Sequence, residues 1–218
     1  MAARWSCRAF RPEEVDETVL SGVFGVAQRT ASWCNTQPWG VHLLGGETTK
    51  WFAKELTEHV ATHPALTDQT PDLPLPARYE GAYLERRRAA GYALYESLGI
   101  DRADTVARAA AMLDNYAFFG APHVAVITSD RSQGTYGAID CGAYVANLTN
   151  AALDAGLATI AQGAIGVYAG KVRELLELPD ERVVVCGVAI GYADSEHPVN
   201  AFRTERATLA DLVTEVRR

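Results

Sequence analysis

Between Arg29 and Trp39 the chain reads Arg-Thr-Ala-Ser-Trp-Cys-Asn-Thr-Gln-Pro-Trp. Ser32 offers a hydroxyl, while Asn35 and Gln37 each carry an amide donor pair and a carbonyl acceptor. That set matches a planar polar ligand whose edge alternates donors and acceptors. Pro38 has no amide hydrogen and disfavours helix at Gln37, so the chain passes straight into extended backbone at Trp39. The same residues also make a helix stop rich in turn formers, with Trp33 and Trp39 as core, and the segment by itself leaves both readings open.

Two basic clusters stand near the chain ends. Arg4-Trp5-Ser6-Cys7-Arg8 precedes Pro12; if extended, it puts Arg4, Ser6 and Arg8 on one face and Trp5, Cys7 and Ala9 on the other. Guanidinium forks with a hydroxyl suit a phosphate or an anionic ring edge, and the alternative is a solvated basic arm. Arg203 and Arg206 form the second cluster. Arg86-Arg87-Arg88 is a third run, but three consecutive residues point in different directions around a helix, so a solvated face is expected there. His59 and His63 have the spacing of two metal ligands, yet Pro64 follows and no carboxylate frame completes a site, so no metal is expected. Neither Gly-x-Gly-x-x-Gly, nor a phosphate loop, nor Gly-x-Ser-x-Gly occurs. Polar and cationic groups without an evident nucleophile or acid–base pair point to a cofactor that carries the reaction.

These groups need elements to hold them. Pro12-Glu13-Glu14 is expected to open a helix whose stripe is Val15, Val19, Leu20, Val23, Phe24 and Ala27. It delivers the Arg29 to Trp39 junction to a strand running to Leu44, closed by Gly45-Gly46; Thr48 then caps a helix reaching about His59. Residues 62 to 77 hold four prolines, and Tyr79 to Asn115 reads as a helical pair with Tyr79, Tyr83, Tyr92 and Tyr95 in packing positions or lining a lid. His123 to Thr128 and Arg182 to Tyr192 are strands, Ala138 to Ala155 a helix rich in small residues, and Gly156 to Gly163 a short strand. Lys171 to Leu178 is a helix stopped by Pro179, and Thr208 to Asp211 resembles a capping box. Mixed helices and strands without a repeat give an α+β layered domain.

A formal net charge of -7 over 218 residues argues against a nucleic-acid partner, so any anion must be held by a local basic cluster. The N-terminus lacks the apolar run of a signal peptide and no stretch approaches membrane-spanning length, so no membrane association and a cytoplasmic protein are expected. Cys7, Cys34, Cys141 and Cys186 are widely spaced, as reduced thiols would be.

Taken in order, the segments resemble the FMN-dependent nitroreductase family over nearly the whole chain. Arg4-Trp5-Ser6-Cys7-Arg8 is similar to its N-terminal Arg-x-Ser-x-Arg element, and Ser32 to Trp39 to its Ser-x-x-Asn-x-Gln-Pro-Trp element, with Ala31 where many members have Pro. Phe119-Gly120-Ala121-Pro122 before a strand, Asp140-Cys141-Gly142 opening a helix, and Gly156-Leu157 after it are also family-like. The resemblance implies a three-layer α-β-α fold around a central mixed, largely antiparallel sheet. It implies a single domain over 1–218 with a helical, lid-like insertion at about 62–115, and a homodimer with FMN in clefts built from both chains. It assigns cofactor contacts to Arg4, Trp5, Ser6, Arg8, Ser32 and Asn35, a supporting place to Gln37, and the surroundings of flavin N5 to Ala161, Gln162 and Gly163. The phosphate falls to Arg203 and Arg206, and the flavin N1/O2 edge to Arg8. The implied activity passes hydride from NADH or NADPH through N5 to a small-molecule acceptor, nitroaromatic or quinone-like, in two half-reactions with no catalytic side chain. Other FMN chemistry on the same fold and a non-catalytic flavin-binding protein are the alternatives, and the choice of NADH or NADPH stays open.

Overall fold

Val124, Ala125, Val126 and Ile127 are all fully buried. A strand apolar on both faces must be covered on both sides. A computed structural model of the chain, describing residues 3–63 and 69–217, shows how. Strand β1 (Trp39–Gly45) and β2 (His123–Asp130) pair, as do β2 and β4 (Arg182–Gly191), and β3 (Ala158–Gln162) closes the other edge in the order β1-β2-β4-β3. All three pairings are antiparallel, and no parallel pairing occurs among the described residues.

Alternation along β2 splits the core in two. Val124 and Val126 face a cluster with Phe52 and Leu56 of α2 (Gly46–Thr62), Ile165 of α6 (Ala164–Val167) and Val172 of α7 (Ala169–Leu175). Ala125 and Ile127 face the opposite cluster, which holds Leu20 and Val23 of α1 (Glu17–Ala27) and Tyr144 and Leu148 of α5 (Gly134–Asp154). Trp39 belongs to that second cluster and stacks on Tyr144 at 5.0 Å between ring centroids. The result is a three-layer α-β-α sandwich.

Several boundaries differ from expectation. α1 opens at Glu17, because the Val15 amide is taken by His123, donating to Nε2 at 3.0 Å, and the Asp16 carboxylate caps the helix through Thr18 N. α2 starts at Gly46 rather than under a Thr48 cap, since Gly46 turns the chain with a φ of +54°. Asp140 lies inside α5 instead of opening it. The Thr208 to Asp211 capping box is present and heads α8 (Leu209–Leu212).

Part of the expected insertion at about 62–115, residues 64–68, lies outside the described residues. The remainder contains α3 (Gly81–Ser97) and α4 (Thr105–Leu113), neither of which has a buried residue. Its tyrosines do not pack as core: Arg87 stacks over Tyr79 at 5.1 Å, Arg102 over Tyr92 at 3.8 Å and Arg108 over Tyr95 at 5.1 Å, while Tyr83 is 72 % exposed. Among the described residues, no helix is long and apolar enough to cross a membrane and no metal-ligating group of three occurs. All four cysteines are free.

Before α3, Asp72 fastens the connecting segment to the body. Its side chain is 7 % exposed and accepts from Arg173 Nη2 at 2.7 Å, Val184 N at 2.9 Å and Arg131 Nη2 at 3.2 Å. Burial alone would raise its pKa, but the three donors outweigh that and hold it below the usual carboxylate range. The stabilisation is therefore present above the unfolded-state pKa of about 3.9 and lost as pH falls through the lower folded value. Asp72→Asn is expected to lower stability by about 2 kcal/mol at neutral pH. Thermal unfolding of both proteins at pH 7 and pH 3 checks this, with the gap between them narrowing in acid.

Candidate functional site

The N-terminal arm is docked, not solvated. Cys7 N donates to Thr159 O at 3.0 Å, Phe10 N to Phe119 O at 3.3 Å and Arg11 N to Tyr192 O at 2.9 Å. Asn200, only 5 % exposed, completes the attachment. Its Oδ1 accepts from Arg8 N at 2.8 Å, and its Nδ2 donates to Ala9 O at 2.8 Å and Asp194 O at 2.7 Å. Every polar atom of that carboxamide is used, so the arm and the segment leading to the C-terminal arginines are fixed to each other. Sequence reasoning missed Asn200: a lone asparagine after His197-Pro198-Val199 has no spacing that sets it apart.

The two chain ends then form one cleft of about 330 Å³, lined by Arg4, Trp5, Ser6 and Arg8 from the arm and Phe202, Arg203, Thr204 and Arg206 from the tail. Trp5 joins the lining because the Arg203 guanidinium stacks over its ring at 4.3 Å, and Arg8 sits over Phe202 at 5.4 Å. Cys7 points the other way and is fully buried. Carbonyls aim two of the guanidinia: Arg203 Nη1 donates to Asn200 O at 2.7 Å and to Phe202 O at 2.8 Å, and Arg206 Nη1 donates to Thr204 Oγ1 at 2.7 Å and to Glu205 O at 2.9 Å. Burial lowers the pKa of Arg8 below the ordinary guanidinium value. The ion pairs found among the described residues include none of Arg4, Arg8, Arg203 or Arg206. Four cations and a serine hydroxyl line this cleft and no carboxylate does, a donor set chemically suited to a phosphate-bearing anion.

The second motif is a tight turn held in an unusual conformation. Cys34, Asn35 and Gln37 have φ values of 48°, 57° and 48°, a region that non-glycine residues rarely adopt. Four bonds keep it there. Gln37 N donates to Ser32 Oγ at 2.9 Å, Gln37 Nε2 to Asn35 O at 3.2 Å, Gln28 Nε2 to Gln37 Oε1 at 2.9 Å, and Trp33 N to Asp140 Oδ2 at 3.0 Å. Trp39 Nε1 donates to Gln28 Oε1 at 2.9 Å, tying the turn to the buried start of β1. Trp39 is core as one reading expected, whereas Trp33 is 59 % exposed and meets Tyr136 at 4.5 Å. The Asn35 side chain is exposed and makes no hydrogen bond among the described residues, which leaves its carboxamide open to solvent.

Among the described residues, no hydrogen bond or ring contact joins this turn to the residues lining the arginine cleft. The end of β3 is likewise separate: Gln162 is buried and its Nε2 donates to Asn115 O at 2.6 Å, while Ala161 and Gly163 are exposed. Gln162 Oε1 is buried with no hydrogen-bond partner among the described residues. It is the other end of β3, Ala158 and Thr159, that meets Arg4 and Trp5 in a neighbouring hollow. One chain thus brings together Arg4, Trp5, Ser6, Arg8, Arg203 and Arg206, and leaves Ser32, Asn35 and Gln37, and Ala161, Gln162 and Gly163, as two further groups.

Comparison with known proteins gives these groups a context. The sequence pattern of the Nitroreductase family matches residues 1–192. The chain is 32 % identical over 212 residues, 97 % of its own length and 86 % of the relative's, to the 4-nitrobenzoate reductase of Nocardioides sp. (strain LMS-CY). A solved structure of the FMN-dependent nitroreductase NfnB from Mycobacterium smegmatis in complex with NADPH superimposes with a TM-score of 0.91 at 33 % identity, covering 98 % of this chain and 95 % of that one. The FMN and NADPH-dependent nitroreductase NfnB from sphigopyxis sp. strain HMH superimposes with a TM-score of 0.93 at 31 % identity, covering 100 % and 97 %.

Asn200→Ala leaves two backbone carbonyls and the Arg8 amide without their partner, at an expected cost of about 2–4 kcal/mol. Amide exchange at Arg8 is expected to accelerate more than at Val126 in the centre of the sheet, measured by hydrogen–deuterium exchange of the two proteins under identical conditions.

Proposed function

The chain belongs to the Nitroreductase family, and from that membership we propose that it is an FMN-dependent oxidoreductase that draws on NADH or NADPH to reduce a nitroaromatic or quinone-like acceptor. The observation that carries this is the cleft with four arginines drawn from both chain ends, none of them in an ion pair among the described residues. In an acidic protein it is a local receptor for a phosphate, and FMN has one. The relatives support the redox half: 4-nitrobenzoate reductase and the FMN- and NADPH-dependent enzymes match along nearly the whole chain.

FMN held here would supply two-electron redox chemistry between a nicotinamide donor and the acceptor. The chain's own residues bind and orient. Arg4, Ser6, Arg203 and Arg206 hold the phosphate end, Trp5 walls the cleft, and Arg8, already desolvated, offers its charge to the electron-rich edge of the ring. Ser32 and Asn35 present hydroxyl and carboxamide to the ring from the strained turn, which Gln37 stabilises. Ala161 and Gly163 leave backbone open beside the reacting edge, with Gln162 anchored beneath them. Positioning of this kind is a large part of what a hydride transfer needs from a protein.

The turn and the cleft are separate in one chain, and we propose that a second chain unites them. The face of α5 that carries Tyr136 (55 % exposed), Ile139 (57 % exposed) and the small residues Gly142, Ala143 and Ala146 is open and apolar, next to Trp33. Packing two such faces together brings the turn of one chain to the cleft of the other, giving a homodimer with two sites. α3 and α4, bearing exposed aromatic rings, then serve as the lid over the acceptor.

Arg206→Ala is expected to weaken FMN binding on the order of tenfold through the lost phosphate contact, and Asn35→Ala to change the ring's affinity or reduction potential. Flavin fluorescence titration and potentiometry measure both. Mixing the two variants after partial unfolding tests the shared site. A dimer with one chain of each has one site with both defects and one with none, so half of the wild-type FMN and half of the NADPH-dependent reduction of 4-nitrobenzoate should return. No recovery from verified mixed dimers would show that each site lies within one chain.

A further inference from the structure

Arg86 was expected on a solvated face with Arg87 and Arg88. The three have separate surroundings. Arg87 is engaged by Tyr79, and Arg88 lines neither cleft beside the tail. Arg86 instead lines a second cleft of about 470 Å³, walled on one side by Ala89 and Ala93 of α3 and on the other by Arg203, Arg206 and Asp211. This cleft shares Arg203, Thr204 and Arg206 with the first, so the two hollows lie on either side of the same stretch of tail. Asp211 does not neutralise Arg86 by direct pairing. Its carboxylate accepts from Thr208 N at 3.0 Å and Thr208 Oγ1 at 2.7 Å in the capping box of α8, and Arg86 forms no ion pair among those found.

The first cleft already suits the phosphate of a mononucleotide. A second one, beside the same arginines, adds the exposed guanidinium of Arg86, whose charge also acts on Asp211, and the short side chains of Ala89 and Ala93, and it suits another phosphate-bearing nucleotide. NADPH differs from NADH by a single phosphate on the adenosine ribose, and a free guanidinium is the group that reads it. We propose that this cleft receives the adenosine end of the nicotinamide donor and that Arg86 binds its 2′-phosphate, making NADPH the preferred donor; this rests on the donor role assigned above. Glu205 and Asp211 also line the cleft, and their carboxylates disfavour a crowded polyanion, so the proposal places a single phosphate there, at Arg86.

Binding tests the site without relying on turnover. Calorimetric titration of the FMN-saturated protein with adenosine 2′,5′-bisphosphate and with 5′-AMP should show the former binding on the order of tenfold more tightly. Arg86→Ala should abolish that preference, and Arg88→Ala should keep it. In steady-state assays Arg86→Ala should raise the KM for NADPH while leaving the KM for NADH and both kcat values unchanged. Equal binding of the two nucleotides by the wild-type protein, absence of binding by either, or a preference that survives in Arg86→Ala overturns the assignment. If neither NADPH nor NADH supports reduction of any acceptor, it is the donor role that fails, and the two adenosine nucleotides still decide whether Arg86 reads a phosphate.

Discussion

The carboxamide of Asn200 holds the main chain at Arg8 and Ala9 and, with its second amide hydrogen, the carbonyl of Asp194. Residues 192 places apart in the sequence are thereby fixed in one orientation. The constraint matters because of what it carries: the arm with Arg4 and Arg8 and the tail with Arg203 and Arg206 line one cleft, and this buried polar node ties the two together. Like charges gathered without counter-ions repel, so the cleft exists at some expense to the fold, which the burial of Cys7 and Phe10 and the sandwich beneath offset. An anionic ligand that enters the cleft relieves that repulsion, which links ligand binding to stability.

A second, independent cost is stored in the turn from Ser32 to Gln37. Three non-glycine residues in left-handed backbone are worth on the order of 1–3 kcal/mol each. They persist because Ser32, Gln28 and Asp140 supply hydrogen bonds from three sides. What the conformation yields is a rigid, exposed display of Asn35, with Trp33 turned out to solvent instead of into the core. Strain held open to solvent is well explained by a ligand that the display awaits. In the proposed dimer, the open apolar face of α5 beside it is what brings the rest of that ligand's surroundings from a second chain.

Much of this was legible in the sequence where local chemistry decides. The apolar runs at 124–127 and 183–190 specify the central strands, the Thr208 to Asp211 spacing specifies a capping box, and Pro38 marks the entry to β1. The cofactor-like motifs were visible as residue types and spacing. What stayed hidden depends on contacts distant in sequence. Nothing near Pro12 foretells that His123 takes the Val15 amide and delays α1, and nothing near Asn200 foretells its three partners. The tyrosines of the insertion have helical spacing, yet no core receives them: Tyr79, Tyr92 and Tyr95 meet arginines and Tyr83 faces solvent. For Arg86 to Arg88, one helix turn separates three different surroundings, a distinction that only the neighbouring tail creates.

The central claim is that the arginine cleft and the strained turn together house a redox flavin. The most direct measurement is the visible absorption spectrum of the purified protein supplied with FMN, recorded without oxygen before and after NADPH and then after 4-nitrobenzoate. The account predicts a protein-bound flavin band that bleaches on NADPH and returns as the nitro compound is consumed. A protein that stays colourless and fails to take up added FMN would contradict it, leaving the four arginines as a receptor for some other anion.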